Sequence, residues 1–136
     1  IPRGDLDFKY RSSNLEGRIV LGAELVLTLG RKADILKRVR QLQARRLKTQ
    51  PVHTYNVGST FKNPPGRFVA RLIEEAGLKG ARCGGAVVSP KHANFFENDS
   101  GATAKDVLEL VERIRGEVRR RSGVELEREM KVVGEA

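Results

Sequence analysis

The sequence predicts an α+β domain, a small mixed sheet with helices packed on it. Two stretches repeat apolar residues at period two, three others repeat them at helical spacing, and the order reads strand, helix, loop, helix, strands, helix, strand.

The first strand is expected from Arg18 to Leu29, where RIVLGAELVLTL puts Ile19, Leu21, Ala23, Leu25, Leu27 and Leu29 on one side. Gly30 ends it, and Ile35, Leu36, Val39 and Leu42 then recur at helical spacing within Asp34 to Leu47. Pro51 disfavours helical geometry at Gln50, so a loop should follow from His53 to Gly66, where Pro64 and Pro65 cannot join a ladder. Phe68, Leu72, Ile73 and Ala76 line one face of a short helix, with Gly77 as its left-handed cap.

Ala86 to Ser89 and Asn94 to Asn98 are short strand candidates about a turn at Pro90-Lys91. Thr103 and Asp106 resemble a capping pair, opening a helix whose stripe is Val107, Leu110, Val111, Ile114 and Val118 and whose end is marked by Gly123. Val124, Leu126, Met130 and Val132 alternate with Glu125, Glu127, Glu129 and Lys131, as a last strand with acids on its opposite face would.

An apolar content of 39% supports a core, but with no Trp, two Tyr and five Phe that core must be mostly aliphatic. No apolar run approaches the roughly 18 residues of a membrane span, so no membrane partner is expected. Cys83 alone cannot form an intrachain disulfide, and with only His53 and His92 a zinc site lacks soft ligands. A cytoplasmic setting without a metal follows as the expectation.

The net charge of +9 raises nucleic acid as a partner, but it is concentrated: eight Lys/Arg lie between Arg31 and Gln50 against one acid, Asp34. That is the polar face of one helix, and the aromatic residues do not cluster with it as stacking platforms. The first reading has no nucleic-acid partner; a basic module contacting RNA or another polyanion through Arg31 to Lys48 is the alternative.

The loop GSTFKNPPG, Gly58 to Gly66, is the candidate site. Its glycines permit backbone conformations other residues resist, while Ser59, Lys62 and Asn63 offer a proton, a charge and a two-way amide. The competing reading is a surface turn in which Asn63 bonds its own backbone. Tyr10-Arg11-Ser12-Ser13 could hold a carboxylate or phosphate, or form a simple turn. His92 is either a ligand or a local hydrogen-bonding group, Glu129 by itself reads as an exposed charge, and Cys83 reads as a small packing residue.

In order along the chain, DFKYRSS, TQP, GSTFKNPPG, ARLIEEAGLKG, GGAVVSPKHANF, GATAKDV and LEREMKVVG resemble the UDP-N-acetylenolpyruvoylglucosamine reductase (UDP-N-acetylmuramate dehydrogenase) family, the flavoenzymes of peptidoglycan precursor synthesis. The resemblance implies that Ser59 is a proton donor, Arg11 a substrate-facing cation and Glu129 a catalytic acid. It also implies substrate contacts at Tyr10, Lys62, Asn63 and His92, and leaves Lys62, Lys48 and Arg46 open as partners of the diphosphate. The short span from Tyr10 to Gln50 resembles the compact subtype, without an inserted substrate-covering loop.

The implied cofactors are FAD and NADPH, and the implied substrate is UDP-N-acetylglucosamine enolpyruvate. Residues 1–30 would end the flavin-binding region, 31–122 form the C-terminal substrate-binding domain, and 123–136 be a terminal strand that packs back on the N-terminal region. That region's glycine-rich phosphate loops are absent from the sequence, so the chain alone is expected neither to hold FAD firmly nor to turn over. Glu97, where the family prefers an apolar residue, and Phe96 beside it bear on the packing of their strand. A third reading, a UDP-sugar-binding regulatory domain, would leave Glu129 dispensable.

Overall fold

The computed structural model describes residues 1–134; Glu135 and Ala136, the end of the expected terminal segment 123–136, lie outside the described residues. The chain divides into two compact units, Ile1–Val39 and Arg40–Ala136, and the division falls within a helix.

In the first unit a 3-10 turn at Arg3–Asp5 precedes a small hairpin of β1 (Phe8–Lys9) and β2 (Ser12–Ser13). Lys9 pairs with Ser12, so Tyr10 and Arg11 make the whole connection. Arg11 takes a left-handed φ of +58° in this turn, a conformation a side chain makes costly. Asn14 closes the hairpin, accepting from Asp7 N–H and donating to the Asp5 carbonyl.

The long strand expected over Arg18–Leu29 does not form. These residues enter no ladder with any described strand, and Ile19, Leu21 and Leu29 are 89%, 95% and 101% exposed. Alternation fixes which side chains share a face, but the backbone N–H and C=O groups still need a neighbouring strand, and none of the described ones provides it. The helix α1 (Lys32–Thr49) then forms as expected, with Asp34 in its first turn and Arg46 and Lys48 in its last, each sign at the end where the helix dipole favours it.

The second unit is built on a four-stranded sheet, order β3 (Asn56–Ser59), β6 (Phe95–Asn98), β5 (Ala86–Val88), β4 (Arg82–Cys83). Every pairing is antiparallel where a mixed sheet was expected. The connections β4–β5 and β5–β6 are too short for the crossover that parallel strands need. Two helices, α2 (Val69–Glu75) and α3 (Ala104–Ser122), bury their stripes in a core with Phe61, Ala86, Val88 and Phe96. Phe96 is inside that core and Glu97, on the alternate side of β6, is half-exposed, so the acid costs the packing nothing.

The α3 start is as read: Thr103 accepts from Asp106 N–H and the Asp106 carboxylate accepts from Thr103 N–H, while Gly123 ends the helix at φ +70°. Gly77 likewise follows α2 with φ +71°. β4 was not foreseen; it exists because Gly84 and Gly85 turn the chain back. A Cβ on Gly85 would stand 2.5 Å from Ala102 N, and one on Gly84 would overlap the Asp106 carboxylate. The expected last strand, Val124 to Val132, shrinks to one bridge between Phe61 and Arg128, with Leu126 buried beneath it. Its partner segment is cut short by Pro64 and Pro65, which have no N–H to continue a ladder.

Candidate active site

Only the end of the GSTFKNPPG segment is a surface turn, closed by the Arg67 N–H donating to the Pro64 carbonyl. Its first residues finish β3, and Thr60 and Phe61 are completely buried. Asn56 pairs with Glu97 and Ser59 with Phe95, so Val57 and Gly58 stand opposite the single residue Phe96 in a β-bulge. Gly58 takes φ of +74° there, and its N–H is held by the Asn56 side chain. A bulge bends a strand and re-aims the next side chain, which here is Ser59.

Ser59 lines a cleft of about 790 Å³ together with Gly58, Arg45, Arg46, Thr49 and Phe95. The α1 end that carries the arginines is fixed: Thr49 donates its hydroxyl to the Arg45 carbonyl, and Lys91 donates its ammonium to the Leu47 carbonyl. A cleft lined by two arginines and a half-buried serine suits an anionic ligand.

Beyond Ser59 the chain is clasped from both sides. On one side Thr60 N–H donates to the Asn94 carbonyl at 2.8 Å, and the Asn94 side chain binds both Phe61 backbone groups. On the other, Lys62 N–H donates to the Glu127 carbonyl and Glu129 N–H to the Thr60 carbonyl, both at 2.9 Å. Glu129 is thereby tied to the residue that follows Ser59, so two residues far apart in sequence are neighbours. The Thr60 hydroxyl is buried without a hydrogen-bond partner.

The other expected residues have structural partners. The Lys62 ammonium is paired with the Glu127 carboxylate. Asn63 accepts the Val69 N–H at 3.0 Å, satisfying one of the donors that the start of α2 leaves open. Half-buried His92 accepts from Asn94 N–H through Nδ1 and lies edge-on to Phe95, and burial holds its pKa below the ordinary histidine value. Tyr10 and Arg11 belong to the first unit, the guanidinium 5.3 Å from the centre of the Tyr10 ring.

Arg45, Thr49 and Asn94 escaped the sequence reading. The arginines' signal, a dense basic run, is also that of an ordinary solvated helix face. Asn94 gave none, since its pairing with Phe61 spans distant sequence. Among the described residues no helix is long and apolar enough to cross a membrane, and no cluster of His, Cys, Asp or Glu could hold a metal ion.

Residues 50–133 match the family described as the C-terminal domain of UDP-N-acetylenolpyruvoylglucosamine reductase. UDP-N-acetylenolpyruvoylglucosamine reductase 2 of Symbiobacterium thermophilum is 50% identical over 133 residues, which are 96% of this chain and 43% of that protein. The reductase of Legionella pneumophila (strain Paris) is 50% identical over 117 residues, 85% of this chain and 39% of that one. The crystal structure of the reductase from Thermus caldophilus superimposes with a TM-score of 0.74 at 39% identity, covering 94% of this chain and 46% of that chain. The chain thus spans less than half the length of these relatives.

Proposed function

The chain belongs to the UDP-N-acetylenolpyruvoylglucosamine reductase family, whose C-terminal domain it carries, and from that premise we propose that it supplies the proton donor and UDP-sugar contacts of a flavin-dependent reductase. The overall reaction would convert UDP-N-acetylenolpyruvoylglucosamine to UDP-N-acetylmuramate with NADPH, in the cytoplasmic synthesis of peptidoglycan precursors. The observation that carries this reading is the bulge at Gly58, which turns Ser59 toward a cleft walled by Arg45 and Arg46 while Glu129 is bonded to the adjoining peptide.

FAD, when bound, supplies hydride drawn from NADPH. The residues present suit its reacting edge rather than its phosphates. A Cβ added at Gly58 would meet nothing within 4 Å, so a flat ring could approach bare backbone beside Ser59. By contrast the sequence has no glycine-rich phosphate loop. We assign that cradle to the N-terminal flavin-binding region, with residues 1–30 as its last part and 31–122 as the substrate domain; the expected packing of the terminal segment on the N-terminal region is not kept, because Leu126 and Arg128 pack on the substrate domain instead. The exposed apolar face of Arg18–Leu29 is what a strand completed by that region would present.

The chain's own residues manage charge and protons. Once the enolpyruvyl methylene carbon has gained hydride, the neighbouring carbon carries carbanion character beside its carboxylate. Arg11 would grip that carboxylate with paired charge-assisted hydrogen bonds, and Tyr10 would support it. Glu129 would orient or share a proton with the acid form, and Ser59 would give its hydroxyl proton to the carbanion. A serine hydroxyl is a weak acid and needs close placement and nearby positive charge, for which Arg45 and Arg46 line the same cleft. Asn63, His92 and Lys62 would contact substrate, Lys62 by exchanging Glu127 for the diphosphate.

In the intact reductase, Ser59→Ala should leave NADPH-driven flavin reduction unchanged and slow reduction of the enolpyruvyl substrate by at least about 10². Equal loss in both half-reactions, resolved by stopped-flow absorbance, removes Ser59 from the role.

A further inference from the structure

Asn94 is 4% exposed and lies just before β6, whose first residue, Phe95, pairs with Ser59. It extends that pairing past the end of the strand. Its carbonyl accepts Thr60 N–H at 2.8 Å, its Oδ1 accepts Phe61 N–H at 3.0 Å, and its Nδ2 donates to the Phe61 carbonyl at 2.8 Å. The side-chain amide does the work of a partner peptide, offering one donor and one acceptor to one residue. Asn94 is itself held, because its N–H donates to His92 Nδ1 at 3.3 Å.

These bonds fix the peptides that follow Ser59, and Ser59 sits on a bulge whose backbone has no side-chain packing at Gly58 to steady it. The Thr60 carbonyl, on the opposite side of the same segment, receives Glu129 N–H. Resting on the proton-donor reading of Ser59, we infer that Asn94 is a positioning residue: it sets the Ser59 hydroxyl and, through Thr60, the Glu129 backbone in one register. It is not among the residues that line the cleft with Ser59. A proton donor displaced by about 1 Å loses roughly 10² in rate, so the register of this segment matters to chemistry and not only to packing.

The requirement is for a neutral group with one donor and one acceptor. An apolar residue of similar size fails it, leaving both Phe61 backbone groups buried and unpaired. A carboxylate fails it by facing the Phe61 carbonyl with a second acceptor, whereas a protonated carboxyl meets it with O–H donating and C=O accepting. Burial favours that neutral form.

The test uses Asn94→Asp, Asn94→Leu and Ser59→Ala in the intact reductase. The two half-reactions are followed by stopped flow, and amide exchange of residues 60–62 by mass spectrometry. With Asn94→Leu, substrate reduction should slow by about 10- to 100-fold while flavin reduction by NADPH stays within about twofold, and exchange at 60–62 should quicken. Asn94→Asp should show the same losses near pH 8, as an order-of-magnitude setting, and recover most of the rate and protection near pH 6. The double variant Ser59→Ala/Asn94→Asp should be no slower than Ser59→Ala alone.

A folded Asn94→Asp variant with unchanged substrate reduction and exchange at every pH overturns the inference. So does a loss that adds in full to that of Ser59→Ala, or an Asn94→Asp protein that folds at no pH, since the amide would then carry the fold rather than the register. Should Asn94→Leu fail to fold, Asn94→Asp decides. If Ser59→Ala itself leaves substrate reduction unchanged, it is the proton-donor reading that falls; if Ser59→Ala is slow and Asn94→Asp is not, the Asn94 inference falls alone.

Discussion

Ser59 and Arg11 stand on backbones held in opposite ways. The segment after Ser59 is bonded on both sides, by Asn94 and by the strand-like stretch Glu127–Met130, and its Phe61 is completely buried. Arg11 sits at the tip of a hairpin whose Phe8 is 68% exposed, in a backbone conformation that a side chain disfavours. The first arrangement fixes the backbone that carries the Ser59 hydroxyl. The second carries a guanidinium on a small exposed sheet, a setting in keeping with the carboxylate-gripping role proposed for Arg11. A weak acid such as serine needs the fixed setting, while a permanent cation tolerates the looser one.

The sharpest way to break this contrast is to truncate one aromatic ring on each side. Phe61→Ala should cost about 3–5 kcal/mol in denaturant unfolding, and Phe8→Ala no more than about 0.5 kcal/mol. Similar values for the two would mean the hairpin is as tightly packed as the Ser59 segment. Glycine swaps come next. Gly58→Ala, which places a side chain at φ +74°, should lower stability by about 1–2 kcal/mol. Arg11→Gly should strengthen the hairpin by up to about 1 kcal/mol, seen as stronger cross-strand proton contacts by NMR, while weakening substrate binding.

Thr60→Val tests the buried hydroxyl that has no partner. Trading it for a methyl should leave the melting point unchanged or raise it, by no more than about 1 kcal/mol in stability; a clear loss would reveal a bond to that hydroxyl. The smallest effect is one of pH. His92 has its pKa lowered by burial, so the unfolded chain binds the proton more readily than the folded one. Stability from this group is complete above the ordinary value of 6.5 and is lost as pH falls through the lower native value. Comparing melting points of wild type and His92→Gln across that window should show a shallower acid slope in the variant.

What the sequence made legible was what neighbours in sequence determine. Thr103, Asp106 and Gly123 bound α3 because a cap needs only the first and last turns of its own helix. Gly77 and the stripe through Leu72 and Ile73 did the same for α2. Ser59 and Glu129 were singled out by the resemblance of their motifs, but the bond from Glu129 to Thr60 could not be read, because it joins the two ends of the second unit. Arg18–Leu29 misled for the complementary reason: its own residues settle the alternation, and a separate strand must settle the ladder. Asn94 was invisible because asparagine before a strand is usually local turn chemistry, whereas here it serves a peptide 33 positions away.

The pair Gly84–Gly85 carries a consequence for how the second unit opens. Gly85 lies so close to Ala102 that a Cβ on Gly85 would overlap the Ala102 backbone, and its carbonyl accepts the Asp99 N–H, while Gly84 abuts the acid of the α3 capping box. The β4–β5 turn and the first turn of α3 should therefore open together. Fraying of the helix start should release the turn, so the hydrogen-bonded amides of both, Asp99 N–H among them, should exchange with a common opening free energy.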